Sequence, residues 1–485
     1  MKLFGCCTDT ARGVLCVIGA VLLHLTYGYF YTVGRNPLAI SCFYFSGNIS
    51  PYIVDYMNYY NMSVQHTSAV WLTSVGYSMQ AIAMPLAGWI ATRIGFRIVV
   101  ICSCVLHSGS IALTYFAVKW GFTAVVLIYG VLGGLGFGAG YSVILAVASA
   151  WFPSHRGLIV GLVLGGFGGG ALVFTPIQTA FINPNNVKIN STTKSFTDAD
   201  LLNRVPYAFL LLAGITGSLQ IIGFLLMQEK PKTDVQPISS EAFDENHHHN
   251  RYLVNLDREK TIDVQPLIVL QASDFYLLWL SVCFSAVPIT LVSALFKVAG
   301  IQYIHDDLFL TGVSMAASVC NCVGRVLWGI ACDRFSFKLP MSCMCIVWTS
   351  LLFSFPFISV FTGTAAKVTF VLWVGLMFLC HCGIFVFAPT ATANIFGPVN
   401  MAVNYGMTFT AFIVGSLAAS IMTNLAPVGT EIKQHFLIGG AMAILGMLFI
   451  LLVADRKVPQ RLQFFNAAVR FRVRCCPGKY FGNCH

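Results

Sequence analysis

Charged residues are scarce in this chain of 485 residues. Asp, Glu, Lys and Arg make up 9% of it, whereas they make up roughly 25% of a soluble globular domain. Acidic residues are the rarer kind, with 18 Asp and Glu against 28 Lys and Arg, and the hydrophobic fraction is 57%. Nothing in this composition indicates an enzyme or a nucleic-acid-binding module. It predicts instead a protein that lies within the lipid bilayer.

Long polar segments are also rare, and the apolar runs between them predict twelve membrane-spanning helices. A spanning helix needs about 20 mostly apolar residues. The runs lie at 13–34, 67–91, 98–118, 122–149, 157–181, 206–228, 275–297, 309–331, 340–361, 367–392, 403–426 and 435–454. One long polar segment, Glu229 to Pro266, separates the first six runs from the last six. We therefore predict an all-α membrane protein with a six-helix bundle at 1–228, a central loop at 229–273, a second six-helix bundle at 274–455 and a basic tail at 456–485.

The loops indicate the orientation of the chain. Most Lys and Arg residues fall on the side of the amino terminus, and cytoplasmic flanks retain such positive charge. Three Asn-x-Ser/Thr triplets, at Asn48, Asn61 and Asn190, all fall on the other side. Such triplets are glycosylated only outside the cytoplasm, although any one of them can occur by chance. We predict that both termini lie in the cytoplasm, that the protein is a glycoprotein, and that its membrane is the plasma membrane.

Two patterns that would indicate a cofactor or a metal in a soluble protein do not do so here. GLGFGAG (134–140) lies inside an apolar run with no preceding strand, so it lacks the context of a dinucleotide-binding loop. Its glycines, and those at 157, 161, 165 and 169, instead predict close packing of the fourth and fifth helices. The triplet His247 to His249 lies in a polar loop without Cys and is a weak metal pattern. We predict no cofactor and no metal.

The two halves contain similar segments, GWIATRIGFR (88–97) after the second run and GIACDRFSFK (329–338) after the eighth. In each, a glycine allows two helices to approach, and basic residues follow that can bond the last carbonyls of neighbouring helices. These segments resemble the signature loop of the major facilitator superfamily. The resemblance implies two bundles that rock about a central substrate cavity, with gating roles for Gly88, Arg93, Arg97, Gly329, Asp333 and Arg334. Thr92 replaces the usual Asp of the first segment, so we expect weaker gate contacts there.

Longer segments resemble one branch of that superfamily. They are residues 134–177, NCVGRVLWGIACDR (321–334) and FGPVNMAVNYGMTFTAF (396–412), and they look like the oxalate:formate antiporter family and its monocarboxylate transporter relatives. The resemblance implies a small organic anion as substrate, with a proton or a counter-anion as the coupled ion. It does not indicate whether an accessory membrane subunit is needed. Residues 35–46 are absent from the family pattern and look like an insertion.

Arg325 is a cation inside an apolar run. Arginine at the centre of a spanning helix costs about 2.5 to 3.5 kcal/mol on insertion scales, so it persists where it faces a cavity or a partner. The interiors of the twelve runs contain no Asp or Glu, which makes a substrate carboxylate the natural partner. In the family that the chain resembles, an arginine of the eighth helix binds the substrate carboxylate, and Arg325 occupies that position. The alternative is that Arg325 reaches toward the cytoplasm or bonds carbonyls of adjacent helices.

Two nearby positions differ from the family pattern. Phe412 stands where oxalate exchangers have a second cation, a lysine, and one cation suits a monoanion better than a dianion. Asn321 stands where animal monocarboxylate transporters have an acid that is thought to carry the coupled proton. Asn321 can bond the substrate or Arg325, but it cannot titrate. Coupling to a proton is therefore an open question at this stage.

Three further residues are candidates for the substrate site. His381 is an imidazole within the tenth run, and its unperturbed pKa lies near physiological pH, so it can bond a carboxylate or share a proton. A packing histidine is the alternative. Tyr141 and Tyr31 are candidates for the cavity wall, although tyrosines near helix ends are commonly interfacial anchors.

These observations together favour a secondary transporter of a lactate-, pyruvate- or formate-like monocarboxylate that works by alternating access. An exchanger of other organic anions, or a non-transporting membrane receptor on the same fold, are the alternatives.

Overall fold

The computed structural model describes residues 9–31, 49–64, 70–185, 187, 196, 198–231, 264–304, 307–425 and 428–455. Within these residues the chain forms twelve long helices that alternate in direction. They are α1 (Asp9–Tyr27), α2 (Val70–Ile94), α3 (Phe96–Trp120), α4 (Phe122–Trp151), α5 (Arg156–Ile182), α6 (Ala199–Leu226), α7 (Ser273–Ile304), α8 (Asp307–Phe335), α9 (Lys338–Ser354), α10 (Gly363–Phe396), α11 (Met401–Phe409 with Ala411–Leu425) and α12 (Val428–Leu452). The predicted all-α class is confirmed, and the described chain forms a helix at each of the twelve predicted apolar runs.

The helices and the predicted apolar runs differ mainly at their ends. Eleven spans among the described residues are long and apolar enough to cross a membrane. The other helix, α2, is 25 residues long but includes polar residues such as Ser78 and Gln80. The predicted seventh run stops at Lys297, whereas α7 continues to Ile304. A charged side chain ends a lipid-compatible run, but it does not end a helix, because the backbone hydrogen bonds continue past it.

The end of the molecule at which α1 begins carries Arg93, Arg97, Arg156 and Arg334, and we call it the basic end. The opposite end, the distal end, carries a short helix, Ile49–Tyr59, that the apolar pattern did not predict. Asp55 of this helix accepts a hydrogen bond from the Phe196 backbone at 3.0 Å, and the Tyr60 hydroxyl donates to Asn203 at 2.7 Å. Asn61 lies there in an exposed turn with a positive φ of 58°. The other two glycosylation triplets, the segment 35–46 and the basic tail lie outside the described residues.

The two halves meet at the basic end, where α5 packs on α8 and α2 packs on α11. Gly157 and Gly329 face each other across the first pair, and a Cβ on either glycine would collide with the backbone of the other helix. In the second pair, a Cβ on Gly88 would lie 2.8 Å from the Val403 nitrogen. Side chains larger than hydrogen would therefore separate the helices, so these glycines permit the two halves to touch.

The glycines of α4 and α5 do serve close packing, but the prediction that they join these two helices to each other was wrong. Gly134 and Gly138 of α4 lie against α2, and Gly136 lies against the backbone of His107 in α3. In α5, Gly157 and Gly161 lie against α8. Glycine spacing marks a helix face that admits a neighbour, but it carries no information about which neighbour that is.

A polar network inside the first six helices was not indicated by the sequence. The Gln220 amide of α6 donates to Thr26 of α1 and contacts Nδ1 of His107 in α3, each at 3.0 Å, and Ser108 bonds the same Gln220 side chain. All of these groups lie among apolar helices. Because hydrogen bonds between helices can stabilise a bundle in lipid, the network ties α1, α3 and α6 together.

Candidate functional site

Arg325 lies inside the protein, on α8 where that helix packs against α5. Its side chain is 3% exposed, so the alternative in which it reaches toward the cytoplasm was wrong. The guanidinium donates from Nε to Asn321 Oδ1 and from Nη1 to the Leu164 carbonyl of α5, both at 3.1 Å. The second bond is of the helix-carbonyl kind that was the other alternative. No Asp or Glu in the described part of the chain bonds this guanidinium, and further N–H donors remain available on it.

Aromatic rings enclose the guanidinium. Its central carbon lies 5.0 Å from the ring centre of Phe385 and 5.6 Å from that of Phe167. Beyond Phe385, the rings of Phe409 and Phe412 are stacked at 5.4 Å, and Phe412 lies 5.6 Å from Phe385. Ring faces attract a cation without neutralising it. The enclosure therefore keeps water away from Arg325 and leaves its charge available to an anion.

Asn321 connects Arg325 to His381. Its Nδ2 lies 3.0 Å from His381 Nδ1, and the other ring nitrogen of His381 lies 3.3 Å from the Ser293 hydroxyl of α7. The predicted site residues Arg325, Asn321 and His381 thus form one cluster, which spans α7, α8 and α10. Ser293 is the member that the sequence did not indicate, because serines are ordinary in apolar runs and this run contains three of them.

Two helices beside this cluster each contain one irregular residue. The regular turns of α10 end at His381 and resume at Gly383, and the Leu379 carbonyl accepts a hydrogen bond from Trp328 of α8 at 2.7 Å. In α11 the irregular residue is Thr410, whose hydroxyl accepts from Trp279 of α7 at 3.0 Å. Both helices continue through these residues, whose backbones stay in the right-handed helical region, and the two tryptophan indoles tie neighbouring helices to them.

The two predicted tyrosines have different positions. Tyr141 is buried, with ring neighbours His24 at 5.0 Å, Phe167 at 5.3 Å and Phe409 at 6.2 Å. Its hydroxyl is also close enough to Arg325 to interact with it, which places it at the cluster rather than at a membrane interface. Tyr31 ends a single 3-10 turn, Gly28–Tyr31, and its side chain lies outside the described part of the structure.

Two further polar groups of the first six helices are buried, and neither was a predicted site residue. Gln80 of α2 is 1% exposed, and neither its amide nitrogen nor its amide oxygen has a hydrogen-bond partner. The Nε2 atom of His24 is likewise buried without a partner. Unpaired buried polar atoms are costly, so both groups are candidates to contact a polar ligand. Gln80 could have been noticed in the sequence, because it is the one side-chain amide in the second apolar run.

The contacts at the basic end differ between the two helix pairs. Asp333 of α8 accepts hydrogen bonds from the backbone N–H groups of Gly157 at 2.6 Å and Leu158 at 2.7 Å, the first residues of α5. A carboxylate at a helix amino terminus satisfies unpaired donors and complements the helix dipole. In the α2–α11 pair, the Thr92 hydroxyl instead donates to the Trp89 carbonyl of its own helix at 2.7 Å.

The arginines of the two signature segments do not make the expected bonds to helix carbonyls. Arg93 lies over the Trp89 ring at 4.8 Å, Arg97 over the Phe96 ring at 6.0 Å, and Arg334 over the Phe335 ring at 5.6 Å. An exposed guanidinium can stack on a ring and stay hydrated, whereas a carbonyl inside a regular helix is already bonded. The expectation of carbonyl bonds was therefore wrong for these three arginines, whereas Lys338 of the second segment confirms it by donating to the Val453 carbonyl, just after the end of α12, at 2.9 Å.

We expect Asp333→Asn to loosen the α5–α8 contact at the basic end. The variant keeps one neutral acceptor oxygen and turns an amide N–H toward the other backbone donor, so one charge-assisted bond, worth about 1.5 to 3 kcal/mol, is weakened and the other is lost. Hydrogen–deuterium exchange at the start of α5 should therefore become on the order of tenfold faster. Asp274→Asn is the matched control, since Asp274 accepts from Ala454 within the second half. Equal exchange in parent and Asp333→Asn would contradict a role for this carboxylate in holding the two halves together.

Comparisons with known proteins agree with this architecture. Residues 37–397 match the model of the Major Facilitator Superfamily. The chain is 26% identical to "Apicoplast pyruvate carrier 1" of Toxoplasma gondii, over 94% of this chain and 91% of that protein. It is 24% identical to "Oxalate:formate antiporter" of Oxalobacter formigenes, over 75% of this chain and 78% of that protein.

A relative that aligns over a shorter part of the chain and a solved structure support the same family. "Monocarboxylate transporter 13" of Rattus norvegicus is 30% identical over 23% of this chain and 26% of its own. Among solved structures, the major facilitator transporter FucP in the outward conformation aligns with a TM-score of 0.60 at 14% identity, covering 90% of this chain and 99% of that chain. The chain therefore belongs to the major facilitator superfamily, in the branch of the oxalate:formate antiporter and the monocarboxylate transporters, and it is a multi-pass membrane transporter.

Proposed function

We propose that this transporter moves a small organic monoanion of the lactate, pyruvate or formate class, with Arg325 as the carboxylate anchor. One observation carries the proposal: Arg325 is buried, yet the groups that bond it in the described chain, Asn321 and the Leu164 carbonyl, are neutral. A charge-assisted bond from Arg325 to a carboxylate would contribute about 1.5 to 3 kcal/mol. That is enough to offset most of the cost of burying the guanidinium.

The aromatic enclosure supports a small anion with a single charge. Phe412, at the place of the second cation of oxalate exchangers, is 5% exposed and stacked on Phe409. A dianion at Arg325 would face rings with one of its two charges unpaired, whereas a monoanion would be neutralised. A relative that matches 94% of the chain is named a pyruvate carrier, which favours pyruvate within this class.

Transport by alternating access would use the contacts at the basic end as a gate. In the described conformation these contacts are formed, through Gly88 and Gly329 and through the bonds of Asp333 to α5. Release of a substrate at the basic end requires that they break. The proposed gate also includes three exposed cations that stack on aromatic rings beside these contacts, namely Arg93, Arg97 and Arg334.

Flux of labelled substrate into proteoliposomes tests the proposal. We expect uptake of pyruvate, lactate or formate to exceed that of oxalate in a panel of mono- and dicarboxylates at equal concentration. A preference for dicarboxylates would favour the second candidate, an exchanger of other organic anions. A receptor on the same fold would bind a labelled anion without accumulating it. Absence of both binding and flux for every monocarboxylate would overturn the proposed substrate class.

We further propose that the protein lies in the plasma membrane, with its basic end on the cytoplasmic side and its distal end outside the cell. The exposed Asn61 turn at the distal end supports this orientation. Glycosidase treatment should increase the gel mobility of the parent protein, and Asn61→Gln should reduce that shift. Proteolytic cleavage at the distal end by a protease supplied only from the cytoplasmic side would contradict the orientation.

A further inference from the structure

The hydrogen bonds around Asn321 have a defined direction. The Arg325 guanidinium can only donate, so the Asn321 atom that faces it is the oxygen, and the amide nitrogen faces His381. That nitrogen can only donate, so His381 Nδ1 accepts and carries no proton. The Ser293 hydroxyl donates to the Ile289 carbonyl at 2.8 Å, so its oxygen accepts from His381 Nε2. The cluster therefore holds a neutral His381 with its proton on Nε2.

This arrangement is incompatible with a second proton on His381. An N–H at Nδ1 would face the N–H groups of Asn321, and two donors repel each other. Rotation of the Asn321 amide by half a turn would present its oxygen to His381. The same rotation would bring the amide nitrogen against Arg325 Nε, which is also a donor. Arg325 would then lose its bond to Asn321 and require a new acceptor.

A carboxylate supplies that acceptor. After the amide has rotated, Arg325 Nε and Asn321 Nδ2 both point N–H groups at the space between them. One carboxylate oxygen in this space would accept from both, and the freed Asn321 oxygen would accept from protonated His381. We infer that Asn321 is a rotating amide relay through which a proton on His381 and a carboxylate on Arg325 each favour the binding of the other. This inference rests on the proposed function and deepens it to co-transport of one proton with each monoanion.

The charges of the surroundings support this pairing. An added proton alone would place two cations side by side in a buried cluster, and none of the described groups that face His381 is an acid. A bound monoanion cancels the charge of the added proton. The cluster then has the same net charge as when His381 is neutral and no anion is bound to Arg325. The groups facing His381 and Arg325 are Ser293 of α7, Asn321 and Cys322 of α8, Phe378, Cys382 and Phe385 of α10, His24 of α1, and Tyr141 of α4.

His107 provides a matched comparison within the same chain. Its Nδ1 also contacts a side-chain amide, that of Gln220, at 3.0 Å. The oxygen of that amide accepts from the Ser108 hydroxyl, which can rotate and act as an acceptor. Rotation of the Gln220 amide therefore involves no arginine. A proton on His107 should have no effect on anion binding at Arg325.

Proton counting on the purified full-length protein tests the relay. Pyruvate, or another monocarboxylate that the flux assay identifies, is titrated calorimetrically in buffers of different ionisation enthalpy. We expect uptake of about one proton per anion, and an apparent affinity that strengthens between pH 8 and pH 6 by a factor within about 5 to 150, the usual range of coupling between two sites. A parent protein that binds or transports the anion with pH-independent affinity and no proton uptake would overturn the relay and leave the proposed function standing.

Three variants separate the relay from a general effect of pH. In His381→Gln and in Asn321→Ser, proton uptake per bound anion should fall to zero, and a pH gradient should no longer drive uphill uptake. In His107→Gln, proton uptake should equal that of the parent. Proton uptake that persists in both of the first two variants, or that disappears in His107→Gln, would overturn the assignment. Failure of the parent protein to bind or move any monocarboxylate at any pH would instead remove the proposed function.

Discussion

Arg325→Ala is expected to abolish carboxylate uptake while the protein still reaches the membrane. The variant removes the donor that would hold the substrate carboxylate and leaves Asn321, Phe167 and Phe385 around an uncharged gap. Arg325→Lys should lose nearly as much, because an ammonium keeps the charge but lacks the planar fork that bonds Asn321, Leu164 and a carboxylate together.

The effect should be large in binding as well as in flux. Loss of one charge-assisted bond weakens an affinity on the order of 10- to 100-fold. Uptake of labelled substrate in proteoliposomes, normalised to the amount of folded protein, is the measurement. Arg204→Lys in α6 is the control, since it exchanges the same two residue types away from the cluster. Full uptake by Arg325→Ala would refute the anchor role.

Phe412→Lys is expected to shift the preference of the transporter toward dicarboxylates. Phe412 is separated from Arg325 by a single ring, that of Phe385. An ammonium group at this place would supply a partner for the second carboxylate of oxalate or a similar dianion. The uptake ratio of oxalate to lactate should rise on the order of tenfold or more, since one charge-assisted bond is gained.

The design of this experiment must separate charge from the loss of a ring. Phe412→Met removes the aromatic contacts with Phe409 and Phe385 without adding charge, so it should lower uptake of all substrates without changing their ratio. Competition between labelled lactate and unlabelled oxalate measures the ratio directly. A well-expressed Phe412→Lys with the parental ratio would remove the argument that the missing cation selects a monoanion.

Within the candidate site, the sequence was informative where a residue type was out of place in lipid. Arg325 and His381 were identified because ionisable groups in a spanning helix are expensive and mark function. Asn321 was identified through the family resemblance, because it stands where animal monocarboxylate transporters have an acid, and its spacing of four residues from Arg325 places both on one helix face. Ser293 and Phe385 were missed because serine and phenylalanine are ordinary in such runs, and their roles depend on which helix lies beside them.

The sequence by itself determined the membrane class, the positions of the twelve long helices and the short list of buried cations and histidines. It did so because a bilayer admits few structures and penalises every exposed polar group, so length and apolarity alone are strong signals.

Only the tertiary structure decided how those residues are connected. Asn321 and His381 are 60 positions apart, and Asp333 and Gly157 are 176 positions apart, so no local pattern relates the members of either pair. The partner helices of the glycines in α4 and α5 likewise depend on neighbours distant in the chain. In a bundle of apolar helices many pairings bury similar surfaces, and the pairing that brings polar groups within hydrogen-bonding distance of each other is visible only once all the helices are packed.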